Sequence, residues 1–346
     1  MGEQSSSPWH LPRLESRTRT SASEYQPNLD IFLEKLTFIN SRYKCWLLTP
    51  FFPFCSLLFT AGFAVRSYGT WNYDNLNVYI ASICLIYAAP PLLELANYHI
   101  LGRILYYVPY HSPLHPGRVL STFAFLSGIV EALSSWGASY SANQSLTDSQ
   151  MNTGHALIKT SLLLQIVVAT CFIALTVTFH RRCLQSGLDN RNIYTPLRTL
   201  YISMTLILIR TIYRIVEYFG VASLRYRDPG FDPQSMTPVV RYEWFFYIFE
   251  ATLMFINLAM FVVLHPRRCL PESNKIYLAR DAVTEVEGPG WKDPRPFWQT
   301  VVDPFDLISL FGRNRGHGFQ KFWEDDGIQG PPVRPKEGSG SEQASK

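Results

Sequence analysis

Residues 156–179 read ALIKTSLLLQIVVATCFIALTVTF, a run of twenty-four positions in which Lys159 is the one charged side chain. As an α-helix it would be about 36 Å long, enough to cross a hydrocarbon layer of about 30 Å. Apolar residues cover it all round instead of forming one stripe, so it reads as a membrane span and not as a surface helix.

Working outward from it, five more runs of the same kind appear, at 45–65, 78–101, 119–140, 197–219 and 244–264. The expected fold is therefore all-α, a polytopic bundle of six transmembrane helices occupying 45–265. A mean hydropathy of +0.01 does not contradict this, because it averages a very apolar middle with two polar ends. A soluble globule would have to bury six helices that are apolar on every face, which few folds can do.

Residues 1–44 are polar, with Ser5-Ser6-Ser7-Pro8 and several arginines, and have no apolar core suited to a secretory signal. The first span is thus expected to act as its own insertion signal. Residues 266–346 are expected to form a largely disordered tail that cannot bury enough apolar surface to fold alone. Within it, 297–311 is apolar enough to touch a membrane surface, although Pro304 argues against one continuous helix.

Lysine and arginine near span ends set the orientation, since short translocated loops avoid them. Lys35, Arg42 and Lys44, then Arg103 and Arg118, then Arg181, Arg182, Arg191 and Arg198, then Arg267 and Arg268 all fall on one side. The opposite side has Arg66, a loop at 141–155 without Lys or Arg, and Arg225, Arg227 and Arg241 diluted by Asp228, Asp232 and Glu243. Both termini are therefore expected in the cytoplasm of a plasma membrane or endomembrane protein. Asn143-Gln144-Ser145 is a glycosylation sequon in a loop assigned to the outside, which agrees. The six cysteines are scattered and do not suggest a disulfide framework. Cys183 and Cys269 each follow paired arginines at a span end, where palmitoylation or a free cytosolic thiol are both open readings.

Three stretches carry a resemblance: Thr60-Ala61-Gly62-Phe63-Ala64-Val65-Arg66, Ala89-Pro90-Pro91-Leu92-Leu93-Glu94-Leu95-Ala96-Asn97-Tyr98, and Leu208-Ile209-Arg210-Thr211-Ile212-Tyr213-Arg214-Ile215-Val216-Glu217. With Glu243-Trp244-Phe245-Phe246-Tyr247 and the closing His265-Pro266-Arg267-Arg268, the chain resembles the fungal RTA-like lipid-translocating exporters. That resemblance implies a membrane protein that moves lipids or amphiphiles such as sphingoid long-chain bases and is linked to resistance to toxic amphiphiles. It also implies seven spans, the first of which has no apolar counterpart between Tyr25 and Lys44.

An ionisable side chain near mid-bilayer costs about 2.5 to 3.5 kcal/mol on insertion scales, so each one needs a partner or a cavity. Arg210, Arg214 and Glu217 share one face of span five with Ser203, by their spacing of three, four and seven. Glu243, Glu250 and Asn257 follow one another at sevens in span six, on a stripe with Tyr247 and Met254, and span three offers Ser127, Glu131 and Ser134. The rise per residue puts Arg210, Glu131, Glu250 and Arg214 roughly 9 to 15 Å below the outer helix ends. The expectation is one buried network in which Arg210 and Arg214 bond to Glu131, Glu217 and Glu250. It serves either as glue between helices or as a polar path for an amphiphile's head group. Glu94, with Asn97 and Tyr98 on its face, is expected roughly 10 Å from the cytoplasmic helix end, next to a break at Pro90-Pro91. It reads as an inner entry or hinge, or as a carboxyl kept protonated.

Other chemistry finds little support. His111 and His115 have zinc-helix spacing, but Pro113 and Pro116 interrupt the helix that would aim both rings at one metal. No Asp falls in any span, as a membrane amidase would need, and no GxxxxGK loop is present to supply ATP-driven motion. The expectation is a non-enzyme without cofactor whose partners are membrane lipids and amphiphilic small molecules. The net charge of +4 lies in loops and tails and reads as topology, not as nucleic-acid binding. A lipid-binding sensor, or a regulator of other lipid transporters, is the competing class.

Overall fold

The structure, a computed structural model, describes residues 51–69, 71, 76–142, 147–188, 190–222, 238–271, 273, 275–279 and 284–288. Among these residues six helices are long and apolar enough to cross a membrane. They are α1 (Phe51–Gly69), α2 (Leu76–Tyr107), α3 (Pro116–Ala142), α4 (Asp148–Gln185), α5 (Arg191–Ala222) and α6, which is built from the segments Glu243–Phe246, Tyr247–Thr252 and Leu253–Val263. The chain divides into two compact units, one holding α1 and α2 as far as Leu92, the other beginning at Leu93.

In the first unit α1 and α2 meet at a glycine. A Cβ on Gly62 would stand 2.7 Å from Ile86 Cγ1 and 3.0 Å from its amide nitrogen, so only glycine permits this approach. Cys55 Sγ donates to the Ala89 carbonyl at 3.1 Å, beside the two prolines. The helix α2 continues through Pro90 and Pro91, which both lie inside one helical run of 32 residues. Side chains and neighbouring helices can supply the donors that proline removes from a membrane helix.

The second unit is organised around a cluster of rings. Tyr98 of α2, Phe123 of α3 and Phe172 of α4 are completely buried, with centroids 5.0 to 5.3 Å apart. Toward the other end of the α3–α4 pair, Gly137 and Gly154 bring the two backbones together. A Cβ on Gly137 would lie 2.8 Å from the Gly154 carbonyl oxygen, and one on Gly154 would lie 2.9 Å from the Gly137 carbonyl oxygen. Ser134 and Ser161 share a hydrogen bond of 2.7 Å close by. On the far side of α5, Ile202, Ile209, Ile212 and Val216 are exposed, while Ser203, Met204, Arg210 and Thr211 are buried. Apolar residues outside and polar residues inside are what a helix surrounded by lipid tails requires.

The helices outrun the apolar stretches that announced them. The run at 156–179 extends to 38 residues in α4, about 57 Å of helix, because polar residues at both ends continue the backbone hydrogen bonding that hydropathy cannot register. Span one was expected from residue 45; its described helix starts at Phe51, and residues 45–50 lie outside the described residues, as does the segment from Tyr25 to Lys44.

The segment after α6, expected to be largely disordered, contains an ordered stretch among the described residues. Ile276–Leu278 (β1) and Glu285–Glu287 (β2) pair antiparallel, with Tyr277 opposite Val286. These two residues pack on Tyr106 at the end of α2, with Tyr110 and Ala279 around them. Arg103 donates to the carbonyls of Pro271 at 2.6 Å and Ser273 at 3.3 Å, and Tyr107 donates to Glu285 Oε1 at 2.9 Å. The missing apolar surface is thus supplied by the aromatic end of α2, which composition alone does not reveal. Residues 289–346, including 297–311, lie outside the described residues.

Candidate functional site

Polar side chains collect in the second unit along the inward faces of α2 to α6. One such group is the pair between Arg210 of α5 and Glu250 of α6. Arg210 donates from Nε to Glu250 Oε1 at 2.8 Å and from Nη2 to the same oxygen, with Arg210 5% exposed and Glu250 not exposed at all. The other carboxylate oxygen, Oε2, is buried and accepts no hydrogen bond among the described residues.

Glu250 sits in a π-helical turn, Tyr247–Thr252, where Thr252 Oγ1 donates to the Tyr247 carbonyl five residues back at 3.0 Å. Such wide turns insert about one residue into an α-helix, which offsets the faces on either side by about 100°. The equal sevens of Glu243, Glu250 and Asn257 therefore do not describe one regular α-helical stripe. Glu250, Met254 and Asn257 still share the buried side; the side chain of Glu243 lies outside what the structure describes.

One layer further along, Asn97 of α2 and Ser203 of α5 bond reciprocally, Nδ2 to Oγ at 2.8 Å and Oγ to Oδ1 at 3.1 Å. Asn257 of α6 donates to the Ser203 carbonyl at 3.3 Å, so three helices are tied at this level. All three side chains are fully buried, and Asn257 Oδ1 has no partner among the described residues.

Glu94 joins a different trio. Its Oε1 accepts from Gln165 Nε2 of α4 at 2.9 Å and its Oε2 accepts from Tyr98 OH at 3.1 Å, while the Tyr98 hydroxyl also touches Ser127 Oγ of α3 at 3.1 Å. Because α2 continues to Tyr107, Glu94 is about 20 Å of helix from that end and not roughly 10 Å. Glu94 thus lies well inside α2, farther from the helix end than the apolar run alone suggested.

The single network expected from the sequence is divided. Arg214 pairs with Glu217 one turn along its own helix, and both side chains are 20% exposed. Neither is bonded to the Arg210–Glu250 pair. Glu131 is half-buried and has no hydrogen bond or ion pair among the described residues, although the charges of Glu94 and Arg210 both reach it. On the adjoining outward face of α3, Ala132, Ser135 and Trp136 line a shallow, open depression, and a Cβ on Gly128 would meet nothing within 4 Å. Ser135 lies one turn beyond Glu131.

Gln165 went unnoticed in the sequence. The available signal was an amide in the middle of the most apolar run of the chain, where it must find a partner. The modification candidates sort by burial. Cys183 lies in the last turn of α4 with no exposure, whereas Cys269 is half-exposed and its thiol is held above the usual range, chiefly by burial. Asn143 lies outside the described residues. His111 meets Ser186 Oγ at 3.3 Å, and His115 Nδ1 accepts from the Gly117 amide at 3.1 Å, so the two rings serve separate loop contacts. Burial, then Arg182, holds His111 below the usual imidazole range.

Comparison with known proteins gives this architecture a family. Residues 52–273 match the family described as RTA1 like protein. A protein of Leptosphaeria maculans named lipid-translocating exporter-like protein RTA1 is 45% identical over 80% of this chain and 55% of its own length. One of the same name from Ajellomyces capsulatus is 30% identical over 73% of this chain and 77% of its own. Protoporphyrin uptake protein 1 of Saccharomyces cerevisiae is 29% identical over 62% of this chain and 67% of its own. The chain thus spans about half the length of the first of these relatives. No solved structure matches. From its six apolar helices and the match across most of the helical region, this chain is an integral membrane protein and belongs to the RTA1-like family.

Proposed function

We propose that the protein translocates amphiphiles with a cationic head group, such as sphingoid long-chain bases, and that Glu131 receives the amine. The observation that carries this reading is the half-buried carboxylate of Glu131, without hydrogen bond or ion pair among the described residues and next to a shallow, open depression on the outer face of α3. A charge in that position is costly unless something neutralises it. An amine arriving beside Glu131, its chain still in lipid along Ala132, Ser135 and Trp136, would neutralise it without disturbing the Arg210–Glu250 pair. The names of the relatives, exporter-like in two fungi and an uptake protein in a third, support movement of amphiphilic molecules and leave the direction open. In this reading the arginine-rich helix ends face the cytoplasm, the protein performs no covalent chemistry, and it contributes to resistance against toxic amphiphiles.

The test is flux in liposomes containing the purified protein. A fluorescent sphingoid base should cross between leaflets several-fold faster than in empty liposomes, and its neutral N-acyl analogue should not. Glu131→Gln should remove most of that difference. Equal rates for the two lipids, or full activity in Glu131→Gln, would overturn the assignment.

A second reading, a lipid-binding sensor, draws on the folded segment at the end of α2. Arg103, Tyr106 and Tyr107 tie Pro271, Ser273, Lys275 and Glu285 to a helix that carries Glu94, so an event at Glu94 could be transmitted to them. Saturable binding of the sphingoid base without flux would favour this alternative.

A further inference from the structure

Glu94 differs from the other two carboxylates at this level of the bundle. It is 4% exposed, and both of its oxygens are bonded, yet neither partner is a cation. Arg210 is the cation whose field reaches it, and that guanidinium is committed to Glu250 by two of its nitrogens. The groups facing Glu94 are Tyr98 from its own helix, Ser127 and the carboxylate of Glu131 from α3, the neutral amide of Gln165 from α4, and Arg210 from α5 with Glu250 behind it. Ionised together, Glu94, Glu131 and Glu250 would set three negative charges against one positive charge. A carboxyl buried without a counter-ion is far more stable with its proton attached.

The hydrogen bonds around Glu94 suit either state. With Glu94 ionised, Ser127 donates to the Tyr98 hydroxyl oxygen and Tyr98 donates to Glu94 Oε2. With Glu94 protonated, Oε2–H donates to the Tyr98 oxygen and Tyr98 donates to Ser127 Oγ. Both hydroxyls can donate and accept, so the row reverses with no heavy atom displaced and both spacings kept at 3.1 Å. Gln165 donates to Oε1 in either case.

We propose that Glu94 is a proton-carrying site coupled to the occupancy of Glu131, so that a cation entering beside Glu131 releases the Glu94 proton. The coupling half rests on the head-group reading of Glu131. One positive charge arrives as an ammonium and one leaves as a proton to water, so the charge of the layer is unchanged and no electron moves. The family likeness leaves the driving force open; this exchange would let a proton gradient supply it.

The full-length protein in lipid nanodiscs provides the measurement. Infrared spectra taken across a pH titration should show the carbonyl stretch of a protonated buried carboxyl. That band should be lost in Glu94→Gln, persist in Glu131→Gln, and shift in Tyr98→Phe, which removes the relay but keeps the ring. Addition of sphingosine should diminish the band in the wild type and not in Glu131→Gln. A spectrum in which neither Glu94→Gln nor Tyr98→Phe alters any carboxyl band would overturn the proton site. In liposomes loaded with a pH-sensitive dye, amine flux without proton movement would overturn the coupling while leaving translocation intact. The Glu94 band without any flux would sink translocation and leave the proton site standing.

Discussion

The α3–α4 and α5–α6 pairs answer the same question, how two helices stay together where lipid removes the hydrophobic incentive, by opposite means. In the first pair Gly137 and Gly154 remove side chains until backbone meets backbone, with the Ser134–Ser161 bond beside them. In the second, large groups bridge the gap: Arg210 reaches Glu250 across a π turn, and the Tyr213 and Phe249 rings stack with centroids 5.3 Å apart. Close backbone contact has a single solution and tolerates no displacement. Charged groups with spare bonding capacity, such as Glu250 Oε2, have alternatives. The first pair is therefore held by backbone contact, and the second by side-chain bonding.

The contrast is broken most severely by removing one member of the ion pair. Glu250→Ala or Arg210→Ala leaves a buried charge alone and should cost about 3 to 5 kcal/mol of unfolding free energy. Detergent or denaturant titration of the purified variants would show it. The double variant Arg210→Met/Glu250→Leu should recover most of that loss, and failure to recover would mean that the two residues do not act as a pair.

An intermediate effect is expected at the glycine crossing. Gly137→Leu should destabilise by about 1 to 3 kcal/mol, since the neighbouring backbone cannot retreat from the new side chain. Gly128→Ala on the same helix, where a Cβ meets nothing, should be close to neutral. Equal effects at the two positions would mean that α3 and α4 are not in close contact.

The smallest effect sharpens the comparison within one helix. Arg214→Gln breaks an ion pair that is partly exposed and local to α5, so it should cost at most about 1 kcal/mol and leave flux unchanged. A loss comparable to that of Arg210→Ala would return Arg214 to the buried network.

The contrast also separates what periodicity can and cannot report. Spacing of three, four and seven correctly put Arg210 on the buried face of α5, and the number of spans followed from segment length and apolarity. Spacing also put Arg214 on that stripe, but near the helix end the stripe reaches a less enclosed level, and Glu217 is close enough to satisfy it. On α6 the assumption of constant pitch failed at Tyr247–Thr252, because a π turn has no reliable mark in composition. Gln165 was legible as a polar intruder, yet nothing in a linear chain says that its partner lies 71 residues away on α2.

Residue chemistry alone determined the membrane environment, the helical class and the need for buried charges to find partners, because hydrocarbon enforces backbone satisfaction and charge neutralisation wherever a segment sits. Which carboxylate received the arginine was decided only by tertiary packing. Glu250 was brought to Arg210, Glu94 was surrounded by neutral donors, and Glu131 was left without either, since partner choice depends on depth and rotation of neighbouring helices that no single helix encodes.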